Sequence, residues 1–131
     1  MKPEKVAELK DRLKEAMVDK KIKPIELSRR TNVGKSMVSY YMAGKSIPKG
    51  DRIYLFAQVL GVNEAWLMGY DVPKERTMSQ KKNDQLARVI QKLRTDAEFF
   101  DLVCTASELS AAERASIAQV VSALRHKQLE D

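Results

Sequence analysis

Lys35, Ser36, Ser39 and Tyr40 place four side chains with hydrogen-bonding heads within six residues, interleaved with apolar neighbours. Their chemistry is recognition rather than bond-making. An ammonium donates to guanine O6 and N7, a serine hydroxyl pairs with several base edges or with phosphate, and a tyrosine touches a thymine methyl or a phosphate. Groups that do covalent chemistry are poorly provided. His126 is the only histidine and Cys104 the only cysteine, so no histidine-based catalysis, metal site or internal disulfide is expected. Cys104 lies near the end of an apolar stripe and is expected to be a packed thiol. Gly34-Lys35-Ser36 ends like a phosphate loop but lacks the upstream glycine and the preceding strand. No pair of catalytic groups converges, so neither an enzyme nor a cofactor is expected.

Side chains that read another molecule need a short, exposed helix held at a steep angle by a second one. Both are legible. Pro24 opens a helix to about Thr31, with Glu26 favouring its positive end. Asn32-Val33-Gly34 is a turn, because Asn and Gly tolerate left-handed backbone. The next helix runs from about Lys35 to Met42 and stops at Gly44, a left-handed cap. Leu27, Val33, Val38 and Tyr41 are its inward anchors, and Ser28 is the small residue at the crossing. Upstream, Val6, Leu9, Leu13, Ala16 and Met17 predict an amphipathic helix over 3–19, with Pro3 in its first turn. Downstream, a basic loop over 45–50 leads to a helix from about Asp51 to Leu60, ended by Gly61. Asn63 then caps a short helix containing Trp66 and Leu67. Trp66 and Tyr70 are expected to close the small core or its edge.

Composition agrees with helices: 32% of the 131 residues are charged, and there are only 5 glycines and 4 prolines. The net charge of +6 is unevenly spread. Lys20 to Arg52 holds nine basic residues against Glu26 and Asp51 alone. That excess suits a polyanion, since each neutralised phosphate releases counterions. A solvated basic face accounts for it equally well. No apolar run approaches the ~18 residues of a membrane span. The opening residues alternate charge with leucine instead of forming an apolar signal core, so a reducing cytoplasm is expected.

Gly69 to Asn83 has no apolar period and reads as a linker, set most narrowly at 74–83. Beyond it, Leu86, Val89, Ile90, Leu93, Ala97, Phe100 and Val103 keep helical spacing. Ser110 and Glu113 form a capping-box pattern, and Ile117, Val120, Val121 and Leu124 carry a second stripe. Two such helices bury too little surface to stand alone. Leu86, Val89, Ile90, Leu93, Phe100, Ile117, Val121 and Leu124 are therefore expected to pack on a second copy or on another protein.

The segment Pro24-Ile-Glu-Leu-Ser-Arg-Arg-Thr-Asn-Val-Gly-Lys-Ser-Met-Val-Ser-Tyr-Tyr-Met-Ala-Gly-Lys resembles the Cro/CI-type, or XRE, helix-turn-helix family. The stretch from Asp51 to Pro73 looks like that domain's closing helices, especially in repressors of phages from Gram-positive hosts. The likeness covers about residues 5–73. It implies that the helix from Lys35 lies in the major groove, with Lys35, Ser36, Ser39 and Tyr40 facing bases. It also implies that Lys23, Lys45, Ser46 and Lys49 lie near the DNA backbone. Three positions depart from the pattern. Ser28 replaces the usual alanine, with a hydroxyl able to bond a carbonyl one turn back. Asn32 replaces glycine in the turn, and Gly34 replaces the common serine cap.

The resulting expectation is an all-α chain: a five-helix Cro/CI-type helix-turn-helix domain at 1–73, a linker at 74–83 and a helical hairpin at 84–131. The expected function is repression of transcription in a phage or other mobile genetic element. Its partner would be a palindromic double-stranded DNA operator, bound as a homodimer or higher oligomer through the C-terminal helices. The 58 residues after Pro73 are too few for a self-cleaving peptidase domain, so an antirepressor protein is the expected means of release. An antitoxin that autoregulates its promoter is the alternative.

Overall fold

The computed structural model describes residues 2–130 and is all-helical, with eight helices and no strand longer than an isolated bridge among them. It divides into two compact units, Met1–Asp84 and Gln85–Asp131.

In the first unit, α1 (Leu9–Lys20), α2 (Pro24–Thr31), α3 (Lys35–Ala43), α4 (Gly50–Leu60) and α5 (Glu64–Leu67) surround one core. Leu13, Leu27, Val38, Phe56, Leu60 and Leu67 are its largest fully buried side chains, drawn from all five helices. Three of the helix ends follow the residues read from the sequence. Gly44 and Gly61 take left-handed caps behind α3 and α4, and the Asn63 side chain accepts from the backbone N–H of Ala65 and Trp66. A Cβ at Gly44 would also press on the Lys10 side chain, which lies across the end of α3.

The N-terminus departs from expectation. Residues 3–8 are not helical, Val6 is exposed, and α1 starts only at Leu9. The cause is non-local. The Val6 and Ala7 N–H groups donate to the Gly69 carbonyl at 2.8 and 3.1 Å, and the Asp71 N–H donates to the Glu4 carbonyl at 2.8 Å. Gly69, at φ 105°, is required here, because any Cβ would collide with the Ala7 carbonyl. Trp66 closes the core beneath this crossing. The Arg12 guanidinium stacks over its ring at 4.6 Å and donates to the Trp66 and Tyr70 carbonyls.

The stretch 74–83, expected as a linker, is ordered structure fastened to this unit. Lys74 pairs with Asp19 and Glu15, and its carbonyl accepts from the Asn63 N–H at 2.7 Å. The hydrogen bond to Asp19 raises the Lys74 ammonium above its ordinary value. Arg76 is buried. Its Nε and Nη2 grip the two Asp84 carboxylate oxygens at 2.7 Å each, and Nη1 donates to the Val62 carbonyl at 2.9 Å. Burial, reinforced by the Asp84 carboxylate, pushes the neighbouring Tyr54 phenol above its usual range. Thr77 and Gln80 exchange reciprocal bonds as a capping box, from which α6 (Met78–Thr95) begins. Its first turns carry Lys81, Lys82, Asn83 and Asp84 in place of an apolar stripe, which is why periodicity misses them.

The division between the units falls within α6. The second unit holds the rest of α6, then α7 (Ala97–Ser107) and α8 (Ala111–Glu130), in place of the expected two-helix hairpin. The break comes at Asp96, whose carboxylate caps α7 by accepting from the Phe99 N–H at 3.0 Å. This resets the helical phase. Phe99, Val103 and Ala106 become the half-buried side of α7, while Phe100 turns outward. Cys104, expected as a packed thiol, is exposed for the same reason. Ser110 and Glu113 do form a reciprocal capping box at the start of α8. Hydrogen bonds from the Ser110 N–H and hydroxyl hold the Glu113 carboxyl below its ordinary value. No residue from 85 to 129 is buried, so this unit has no core of its own.

Candidate nucleic-acid interface

Two short helices and a three-residue turn build the site. The chain reverses at Asn32, which takes left-handed backbone at φ 57°. Ser28 holds that reversal closed: its hydroxyl donates to the Val33 carbonyl at 2.6 Å. The expectation of a bond one turn back is met instead by Thr31, which donates to the Leu27 carbonyl at 2.6 Å. The turn brings the Val33 carbonyl within closer reach of Ser28 than helical geometry alone implies. Gly34 is extended and offers no side-chain cap, but its carbonyl accepts the Val38 N–H at 3.1 Å.

The inner side of α3 is fixed by burial. Leu27, Val33, Val38 and Tyr41 are all buried, and the Tyr41 ring meets Phe56 edge-on at 5.8 Å between centroids. The Tyr41 hydroxyl escapes a buried-polar penalty by accepting from Arg52 Nη1 at 2.6 Å. With that side committed to the core, Lys35, Ser36, Ser39 and Tyr40 are all left exposed on the other. Tyr40 is 48% exposed, and the Lys45 ammonium sits 5.8 Å from its ring centroid. The tandem tyrosines thus divide, one into the core and one out to solvent.

Four further polar residues bracket these helices in the chain: Lys23 before α2, Lys45 and Ser46 in the loop after α3, and Lys49 before α4. The three lysines are exposed and Ser46 is half-buried. Among the described residues, Lys23, Lys35, Lys45 and Lys49 have no carboxylate at ion-pair distance, so their charge faces solvent uncompensated. In the same basic stretch only Arg30 is paired, with Glu26 at 3.8 Å. Arg52 is the residue that sequence reasoning passed over. It closes the basic window, but its contact with Tyr41, eleven positions away, exists only once the α3–α4 loop has folded.

The C-terminal candidates fall in the second unit. Leu86, Val89, Ile90, Phe100, Ile117, Val121 and Leu124 are exposed and Leu93 is half-buried. No helix among the described residues is long and apolar enough to cross a membrane.

A row of donors on an exposed helix face, with uncompensated cations nearby in the chain and a supporting helix anchored by buried Leu27 and Thr31, is an arrangement for binding a polyanion and reading its edges. No curated protein matches the chain. Residues 13–67, from within α1 to the end of α5, match the family model described as Helix-turn-helix (HTH_3), so this segment is similar to the XRE-type helix-turn-helix domains of DNA-binding transcription regulators.

Proposed function

We propose that the protein is a transcriptional repressor of a phage or other mobile genetic element, which binds a palindromic operator as a dimer. The observation that carries this reading is the exposed row Lys35, Ser36, Ser39 and Tyr40 on a helix anchored from its other side by buried Val38 and Tyr41. A helix fixed in that way presents its donors at a constant angle, which base discrimination in the major groove requires. Lys23, Lys45, Ser46 and Lys49 take the flanking phosphates. Two-fold operators need two reading heads about one DNA turn apart. The second unit supports pairing, because it has exposed apolar stripes and no core. A second copy covers Leu86, Val89, Ile90, Leu93, Phe100, Ile117, Val121 and Leu124. An antirepressor that competes for these stripes would release the DNA.

Val121 gives the sharpest test of pairing. It is 58% exposed in the single chain, so a charge there does not disturb the chain's own packing. Val121→Asp is expected to turn the full-length protein from dimer to monomer in sedimentation equilibrium and to weaken operator binding. A variant that stays dimeric and binds the operator like the parent contradicts the assignment of this face.

A further inference from the structure

We propose that Arg52 is a phosphate clamp that also positions the reading helix, a role that rests on the reading of operator DNA by α3. Arg52 stands in the first turn of α4, and its Nη1 donates to the Tyr41 hydroxyl at 2.6 Å. Tyr41 belongs to α3, and its ring is buried against Phe56. The guanidinium therefore holds the reading helix by the one polar atom of that side chain. A carboxylate in the place of the phenol would neutralise Arg52. Among the described residues no carboxylate lies at ion-pair distance from it, so its charge remains whole.

A guanidinium offers five N–H donors in a planar fork that matches phosphate oxygens, and Tyr41 occupies one of them. Arg52 is half-buried and lines a cleft with Met37 and Tyr41 of α3, with Ser46 and Lys49 of the following loop, and with Asp51, the one carboxylate of the lining. A backbone phosphate seated in this cleft meets the remaining Arg52 donors beside the Ser46 hydroxyl and the Lys49 ammonium. The same fork holds Tyr41, so the phosphate contact and the base-reading row are tied through one rigid group. Lys49 is exposed and has no bond to α3, so it contributes charge without register.

The test uses the full chain, a duplex recovered by selection from random DNA, and an unrelated duplex of equal length, each titrated with salt. Tyr41→Phe keeps the ring and removes the hydroxyl. With α3 no longer held in register, it is expected to weaken the selected duplex about tenfold, the scale of one misplaced base contact, with the unrelated duplex and both salt slopes unchanged. Arg52→Met is expected to lose the same discrimination and to lower the salt slope by about one on both duplexes. Arg52→Lys, which preserves the charge, should keep the slope and lose the discrimination. A Tyr41→Phe protein that binds both duplexes like the parent overturns the positioning role, as does an Arg52→Lys protein that keeps full discrimination. An unchanged slope in Arg52→Met overturns the clamp. A parent chain that fails to discriminate the two duplexes overturns the proposed function itself, and this role with it.

Discussion

The division of labour among cations is decided side chain by side chain. Lys35 and Tyr40 project from α3, whereas Lys49 stands in the loop before α4. If the first two meet base edges, Lys35→Ala and Tyr40→Ala should weaken binding to the cognate site by about 1–3 kcal/mol and leave random DNA nearly untouched. Lys49→Ala should weaken all DNA alike and flatten the salt dependence. Competition binding against random duplex at several salt concentrations checks both, and identical behaviour of Lys35→Ala and Lys49→Ala would remove the distinction. The sequence made the exposed row legible because Leu27, Val33, Val38 and Tyr41 fix the phase of α2 and α3. It hid the roles of Ser28 and Arg52, whose partners, Val33 and Tyr41, depend on how a turn and a loop close.

At the level of elements, the boundary of the DNA-binding unit depends on Arg76 and Asp84. Removing one member of a buried ion pair strands the other charge, at a cost of about 3 kcal/mol or more. Arg76→Met and Asp84→Leu should each show this loss in urea unfolding, and the double replacement should cost less than either alone. A chain ending at Lys74 should be less stable than one ending at Thr95, since it lacks Arg76 and leaves the Val62 carbonyl without its donor. Equal stability of the two truncations would reduce the pair to a surface ornament. Periodicity could not find this boundary, because the first turns of α6 are polar and are held by an ion pair instead of an apolar stripe. Thr77-Met-Ser-Gln80 was the available signal, a capping box without the hydrophobic run that usually confirms it. The same limit explains α7: Asp96 restarts the helix, so a stripe counted through it loses phase. At the other end, the helix expected from Pro3 yields to Gly69, a contact more than sixty residues away that no local pattern encodes.

For the whole molecule, the contrast between the two units is the main physical fact. One has a complete core and exposed, unpaired lysines; the other has exposed apolar side chains and, among the described residues, nothing buried. Five of the helices and most of their caps follow from sequence pattern, since they depend on local capping and spacing. The helices of the second unit follow less closely, because Asp96 interrupts the apolar spacing on which their phase was read. Sequence-specific binding to a two-fold site joins both units in a single claim. The most direct measurement is selection of bound fragments from random and genomic DNA by the full-length protein at two salt concentrations. The expected result is one short palindrome recovered at both, with an occurrence at a promoter. Diffuse recovery that fades at the higher salt, with no common sequence, would contradict a dimeric operator reader and leave the basic face as a generic polyanion surface.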